Sequence, residues 1–155
     1  MLLLLACAAP TPLPSPGVTA EDAPATEPTT APTVAAVLIN EVQTDNDATV
    51  MTGDLEFADW VELYNASAET VALSRLTLSD ANGESWTGST GELAPGERLL
   101  LWADDDLPFG LSRDGEQLTL AVDDTITDRI ATGEMGADTA WARYPDGGSW
   151  AYTAR

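Results

Sequence analysis

From residue 34 onward, apolar residues occur in short runs rich in Val, Leu, Trp and Tyr, and turn-forming residues separate these runs. No window keeps the i, i+3, i+4, i+7 spacing of an amphipathic helix for long enough to predict one, and short runs bounded by turn signals are typical of β-strands. The predicted strands are 37–43, 59–65, 70–73, 76–79, 97–103, 116–122, 126–131 and 139–144. Tight turns are predicted at Asn82–Gly83, Pro95–Gly96, Asp114–Gly115 and Asp146–Gly147. The pattern therefore predicts an all-β sandwich or barrel of about eight strands.

The run 59–65 has large side chains on both faces of its predicted strand. Alternation places Val61 and Leu63 on one face, with Trp60, Glu62 and Tyr64 on the other. This pattern favours a central strand. A carboxylate between two aromatic residues is partly buried and needs a cationic partner, and we expect Arg143 to supply it for Glu62.

The first 33 residues follow a different pattern. Met1 is followed by an apolar run that ends at Cys7, and residues 8–33 carry frequent Pro among Ala, Thr and Ser. Proline at this density removes backbone donors and favours extended polyproline II conformers, so no packed core is expected here. The sequence predicts three parts, namely a signal segment at 1–7, a disordered linker at 8–33 and a β-sandwich domain at 34–155.

The run Leu4–Leu5–Ala6–Cys7 resembles the lipobox that ends a bacterial lipoprotein signal peptide. The resemblance implies that Cys7, the only cysteine, is the lipid attachment site; the alternative is a stray thiol in a frayed terminus. The run carries no basic residue and is shorter than the roughly 7–15 apolar residues of such signals, which predicts a start further upstream. It also falls short of the about 20 residues that a transmembrane helix needs, because Pro10 interrupts it.

Charge narrows the possible functions. The net charge is −20, and there is neither His nor Lys. Such a surface repels phosphate backbones, so binding of nucleic acid is not expected. Catalysis that needs His or Lys is excluded, and Cys-His catalysis is excluded with it. Carboxylate chemistry remains the only enzymatic route, and no catalytic residue is predicted, because acidic residues are frequent enough to pair by chance.

Acidic clusters are the candidates for metal binding. Asp45, Asp47, Asp54 and Glu56 place oxygen ligands in one loop, which makes calcium possible, although their spacing does not fit an EF-hand. The alternative is a solvated loop with no cofactor. Asp123–Asp124 is interpreted as a hairpin turn. The five Trp residues are expected in the core and along edges, and a row of them exposed on one face would instead indicate a surface that stacks sugars.

Motifs spread over residues 37–155 together resemble a lamin-tail domain. They are Ile39–Asn40–Glu41–Val42, Asp59–Trp60–Val61–Glu62–Leu63–Tyr64–Asn65, Leu73–Ser74, Leu78–Ser79–Asp80, Leu93–Ala94–Pro95–Gly96, Leu100–Leu101–Trp102–Ala103–Asp104, Phe109–Gly110–Leu111–Ser112–Arg113–Asp114–Gly115–Glu116 and Arg143–Tyr144–Pro145–Asp146–Gly147. The resemblance implies an immunoglobulin-like β-sandwich. Arg75 and Leu76 replace the usual small and aromatic residues, so the turn there is expected to differ. The Thr-Pro-Gly run that commonly closes the domain does not precede Arg155, which predicts an incomplete last edge.

The function expected from these features is that of a non-catalytic binding or structural module. The lipobox and the linker predict display at the bacterial cell envelope, lipid-anchored or secreted, with contact to the membrane through the anchor alone. The expected partner is a protein or an envelope polysaccharide. The alternative is a calcium- or carbohydrate-binding accessory domain of a larger secreted hydrolase.

Overall fold

The computed structural model describes residues 36–103 and 105–154. Within these ranges the regular secondary structure is all β-strand, apart from one turn of 3₁₀-helix at Leu73–Arg75. The strands are β1 Val37–Gln43, β2 Trp60–Asn65, β3 Val71–Ala72, β4 Leu76–Ser79, β5 Ser85–Thr87, β6 Glu92–Leu93, β7 Arg98–Trp102, β8 Gln117–Val122, β9 Thr125–Ala131, β10 Thr139–Tyr144 and β11 Ser149–Ala154. The predicted all-β fold is therefore confirmed. The predictions for Cys7 and for residues 8–33 lie outside the described residues.

Two antiparallel sheets form the sandwich. One has the order β11-β10-β1-β2-β7 and the other the order β5-β4-β8-β9, while β3 and β6 make a separate pair. A single cluster of buried apolar residues fills the interior, with 0–1% of each side chain exposed at its centre. The central residues include Ile39, Val42, Val61, Leu63, Leu76, Leu78, Leu118 and Leu120. As predicted, β2 is an interior strand, paired with β1 on one side and β7 on the other.

The predicted turns form where the residue types allow them. The glycines of the four predicted turns all have positive φ, at 88° for Gly83, 75° for Gly96, 132° for Gly115 and 69° for Gly147. Asp123 and Asp124 make the two-residue connection between β8 and β9, with φ of 49° and 61°. Positive φ at both central residues defines a type I′ turn, whose twist matches that of the flanking strands.

The prediction that Arg143 is the cationic partner of Glu62 is wrong. The Glu62 carboxylate accepts a hydrogen bond from Asn40 Nδ2 at 2.8 Å and lies 3.7 Å from Nε of Arg98. Arg98 pairs directly with Tyr64, two residues along β2 from Glu62, so the two side chains share the outer face of the sheet. Arg143 pairs with Trp150 and lies two residues along β10 from Trp141. Trp141 and Trp150 both pack against the core, so the Arg143 side chain shares their face and points inward, away from Glu62.

Arg143 instead takes part in a closed network that joins the two sheets. Its NH2 atom donates to both carboxylate oxygens of Asp128 on β9, at 3.1 and 2.9 Å. A register shift follows Ile39 in the β1–β2 ladder, and here the Asp128 carboxylate accepts from the Ile39 N–H at 3.0 Å while Arg143 Nε donates to the Ile39 carbonyl at 3.0 Å. The Arg143 and Asp128 side chains are only 15% and 10% exposed. Two side chains thus satisfy backbone groups of β1 and connect it to the opposite sheet.

The chain forms one turn of 3₁₀-helix at Leu73–Arg75, and an ion pair fixes its end. Arg75 donates from Nε and NH2 to Asp123, with Nε 2.9 Å from Oδ2. Leu76, the next residue, is fully buried at the start of β4. The turn packs tightly against Gly88, where a Cβ atom would lie 2.1 Å from the Leu73 carbonyl oxygen.

The Arg75–Asp123 pair predicts a dependence on pH. The hydrogen bond from Arg75 holds the pKa of Asp123 below its ordinary value, although burial acts in the opposite direction. A lowered pKa in the folded state means that the pair stabilises the domain above the ordinary Asp pKa of about 3.9 and loses this effect as the pH falls through the lowered value. In denaturant unfolding, Arg75→Gln is therefore expected to be less stable than the wild type near neutral pH and equal to it in strong acid.

The matched control is Arg129→Gln, which removes the same charge from an exposed position of β9. The difference in the free energy of unfolding between Arg129→Gln and the wild type is expected not to change as the pH falls through the pKa of Asp123. A difference for Arg75→Gln that stays constant down to strong acid would contradict the prediction.

Candidate functional site

Three loops meet at one end of the sandwich, and we call their surface the loop end. They are residues 44–59 between β1 and β2, residues 103–116 between β7 and β8 except Asp104, and residues 132–138 between β9 and β10. Backbone hydrogen bonds join them, from Asp138 N to the Asp45 carbonyl at 2.8 Å and from Met135 N to the Arg113 carbonyl at 2.9 Å. The loop end is therefore one connected surface.

Asn46 organises the first of these loops from the inside. Its side-chain nitrogen donates to the carbonyls of Val50 and Ala58, both at 2.7 Å, and its side-chain oxygen accepts from the Thr49 hydroxyl at 2.7 Å. Asn46 itself is only 6% exposed. Because one amide side chain satisfies backbone groups at both ends of the segment 50–58, that segment is held as a defined projection.

The projection is a small hairpin of residues 51–57. Met51 and Phe57 form its only bridge, and Thr52 N donates to the Glu56 carbonyl at 2.8 Å. Leu55 lies at the tip with φ of 66°, a left-handed conformation that costs a non-glycine residue about 1–2 kcal/mol. Met51, Leu55 and Phe57 are 49%, 77% and 40% exposed. The hairpin thus presents three large apolar side chains to solvent.

An open cavity of about 370 Å³ lies beside the hairpin. It is lined by Glu56, Phe57, Ala58, Asp59, Ala103, Asp105, Gly110 and Leu111. The Asp59 carboxylate is engaged inside the fold, where it accepts from Asn46 N at 3.0 Å. No hydrogen bond or ion pair to another described residue engages the carboxylates of Glu56 and Asp105. The cavity lining is therefore mostly polar, with a smaller apolar part from Phe57 and Leu111 and two available negative charges.

The structure places the predicted metal-ligating residues at several points of the loop end. Asp45 lies 3.6 Å from Arg113, and the Asp47 backbone N–H donates to Asp138, while Asp54 and Glu56 belong to the hairpin. Over residues 36–103 and 105–154, no three Asp, Glu, Cys or His side chains come together as a possible metal site. Among these residues the sequence cluster therefore does not become a spatial cluster, and calcium binding stays an untested alternative to a solvated loop.

Salt is expected to stabilise the domain without selectivity for calcium. A net charge of −20 makes the folded state repel itself, and any electrolyte screens that repulsion. Thermal midpoints measured in calcium, magnesium and sodium salts at matched ionic strength should therefore rise together. A saturable rise in calcium alone would contradict this, because binding to the native state stabilises it by mass action. Glu56→Gln would then show whether the hairpin holds the ion.

The aromatic residues of β10 and β11 stack on one another. The rings of Trp141 and Trp150 are parallel within 6° with centroids 5.6 Å apart, and Tyr152 lies 4.4 Å from Trp141. The Arg143 guanidinium lies over Trp150 at 4.5 Å. Trp141 and Trp150 cover each other's ring faces and are half-buried, so they offer little open face on which a sugar could stack, whereas Tyr152 is 54% exposed.

Sequence reasoning missed the hairpin of residues 51–57 altogether. Its strands are single-residue bridges too short to show alternation, and Asn46 lies among acidic residues that suggested a metal loop. The available signal was three large apolar residues, Met51, Leu55 and Phe57, inside a loop otherwise rich in acidic residues and threonine. No helix within the described residues is long and apolar enough to cross a bilayer.

Comparison with known proteins gives one match. A family model described as Lamin Tail Domain matches residues 30–148, which is more than half of the chain. No curated protein and no solved structure matches the chain.

Proposed function

The chain belongs to the lamin tail domain family, and on that premise we propose that it is a non-catalytic binding module displayed at the bacterial cell envelope. The family suggests an immunoglobulin-like module without catalytic activity. In this proposal, a lipid on Cys7 anchors the chain and residues 8–33 hold the sandwich away from the membrane. The loop end is then the part that meets a partner.

The observation that carries the binding role is the exposed hairpin. A domain with only a structural role has no need to expose Met51, Leu55 and Phe57 together, because apolar side chains gathered on a surface favour association. The hairpin is also held by Asn46 rather than left loose, so a partner would not have to order it on binding.

The composition supports a role without catalysis. The chain has no His and no Lys, and its one Cys is the proposed lipid site. The common nucleophile and base pairs are therefore missing. The cavity beside the hairpin has carboxylates but is open to solvent, whereas many active sites exclude water from the reacting groups.

Lipid labelling tests the anchor. The protein is produced from its own genomic locus in cells fed a fatty acid that carries an alkyne. We expect label on the wild type and none on Cys7→Ser, which should leave the membrane fraction. Protease added to intact cells should remove the sandwich domain of the wild type.

A second variant separates lipobox recognition from simple thiol reactivity. Cys7→Ser combined with Ser15→Cys moves the only thiol into the linker, where no lipobox surrounds it. This variant should stay unlabelled. Label that follows the thiol to residue 15, or a wild type that accumulates without label, would overturn the proposed anchor.

A further inference from the structure

The described surface outside the hairpin exposes few large apolar side chains. Of the six that are exposed, Met51, Leu55 and Phe57 lie on the hairpin, while Ile126, Tyr144 and Tyr152 lie on β9, β10 and β11. The hairpin is therefore where exposed apolar residues are concentrated along the chain. Apolar surface gathered in this way, with polar residues around it, is typical of an interaction site.

The stability of the isolated domain does not explain the choice of Leu at position 55. Its side chain is 77% exposed, and its backbone φ of 66° suits Gly or Asn better than Leu. A sequence chosen for stability alone would place one of those residues here. The leucine is therefore best explained by a contact outside this domain.

The charge around the hairpin restricts what that contact can be. Asp54 and Glu56 belong to the hairpin, Asp105 lines the adjoining cavity, and Arg113 is the one basic residue among the described residues of the three loops. Arg113 lies 3.6 Å from Asp45, so its charge is already offset. Phosphate-bearing lipids and nucleic acids are repelled by this surface. A second copy of the chain, which also carries −20, is repelled in the same way.

The cavity matches a long cationic side chain. Phe57 and Leu111 provide apolar wall, and the carboxylates of Glu56 and Asp105 are available at its lining. Lys and Arg side chains bury an alkyl stem against apolar surface and present a charged head to carboxylates. Phe57 and Glu56 belong both to the hairpin and to the lining of the cavity. One short segment of a partner could therefore place an apolar residue against the hairpin and a basic residue in the cavity.

We propose that the 51–57 hairpin and the adjoining cavity form a docking surface for a basic polypeptide segment. An apolar side chain of the partner packs against Met51, Leu55 and Phe57, and a neighbouring Lys or Arg enters the cavity beside Glu56 and Asp105. The inference rests on the proposed binding role and names the chemistry of the partner. The opposite charges also speed the encounter, so binding weakens as salt rises.

Selection from a randomised peptide library tests the partner chemistry without assuming its sequence. The full chain is the bait, and enriched peptides should combine Lys or Arg with Leu, Met or an aromatic residue. One enriched peptide is then synthesised for affinity measurements, together with a copy in which every Lys and Arg is replaced by Gln. The neutral copy should bind at least about tenfold more weakly.

Variants of the protein locate the site. Leu55→Gly should weaken the peptide at least about tenfold while its thermal midpoint stays equal to or above that of the wild type, because glycine relaxes the left-handed residue. Glu56→Gln combined with Asp105→Asn should slow association and flatten the dependence on salt. Two controls, Ile126→Thr and Asp124→Asn, change one exposed apolar residue and one exposed charge away from the loop end, and both should bind as the wild type does.

Three results would overturn the proposal. Enriched peptides without basic residues would remove the stated chemistry, and equal binding by Leu55→Gly and the wild type would remove the site. The third result is a loss of binding in Asp124→Asn as large as in the Glu56→Gln and Asp105→Asn variant. Net charge alone would then attract the peptide, and the docking surface would not exist. If lipid labelling fails and the peptide still binds, only the proposed anchor is overturned. If labelling succeeds and peptide binding fails, only this docking surface is overturned.

Discussion

Arg143→Met is expected to destabilise the sandwich by about 3–5 kcal/mol, the cost of leaving a buried charge without its partner. The substitution leaves Asp128 uncompensated at 10% exposure and removes the donor to the Ile39 carbonyl. Asp128→Ala should cost a similar amount, because it strands Arg143 and the Ile39 N–H. Denaturant unfolding measures both losses as shifts in the midpoint at constant slope.

A double-mutant cycle measures the interaction between Arg143 and Asp128 separately from the other effects of each substitution. The double variant Arg143→Met with Asp128→Ala should be more stable than the sum of the single losses predicts, because no unpaired charge then remains. The exposed Arg75–Asp123 pair is the control, and Arg75→Gln should cost far less. Additive losses, or a loss in Arg143→Met no larger than in Arg75→Gln, would contradict the role assigned to this network.

Gly88→Ala is expected to destabilise the domain at the upper end of the roughly 1–3 kcal/mol that overpacking costs, or beyond it. The added Cβ atom would lie 2.1 Å from the carbonyl oxygen and 2.6 Å from the carbonyl carbon of Leu73. These are backbone atoms, so the 3₁₀ turn at Leu73–Arg75 must shift to admit the methyl group. The hydrogen bond from Gly88 N to the Leu76 carbonyl, at 3.1 Å, would be disturbed as well.

Gly53→Ala provides the control for Gly88→Ala, because it makes the same chemical change. A Cβ atom at Gly53 meets nothing within 4 Å, so the substitution should be neutral or stabilise the domain by about 0.4–1 kcal/mol through the unfolded state. Thermal unfolding of the two variants gives the comparison. Similar midpoints for Gly53→Ala and Gly88→Ala would show that the turn has more room than the structure indicates.

The sequence pattern predicted those elements whose signals are local. Strand β1 at Val37–Gln43 agrees with its predicted range, because the apolar run Val37–Ile39 and the apolar Val42 mark it within a polar neighbourhood. The turn at Asp123–Asp124 follows from residues that tolerate positive φ. Strands β5 and β6 escaped prediction, since three and two residues cannot show a period. Strand β11 carried alternating aromatic residues that would have identified it.

The partners of charged residues could not be predicted, because they depend on how strands pair. Glu62 and Arg143 belong to strands whose relative register the sequence does not give. A register shift of one residue moves a side chain to the opposite face of the sheet, so the sequence cannot say whether the two share a face. The same limit applies to Asp128, whose partner is a backbone group exposed by an irregularity in β1. Of the candidate site, the acidic surroundings were visible in advance, but the apolar hairpin was not.

The order of the five-stranded sheet has a consequence for the timing of folding during synthesis. Strand β1 lies between β2 and β10, and its links to Asp128 and Arg143 join residues 89 and 104 positions apart. A ribosome that adds about 5–20 residues per second therefore exposes β1 for several seconds before β10 exists. During that interval the nascent chain cannot close its own sheet. Nearly the whole domain must leave the ribosome before it can fold, so a chaperone or an export machine would meet it as an open chain.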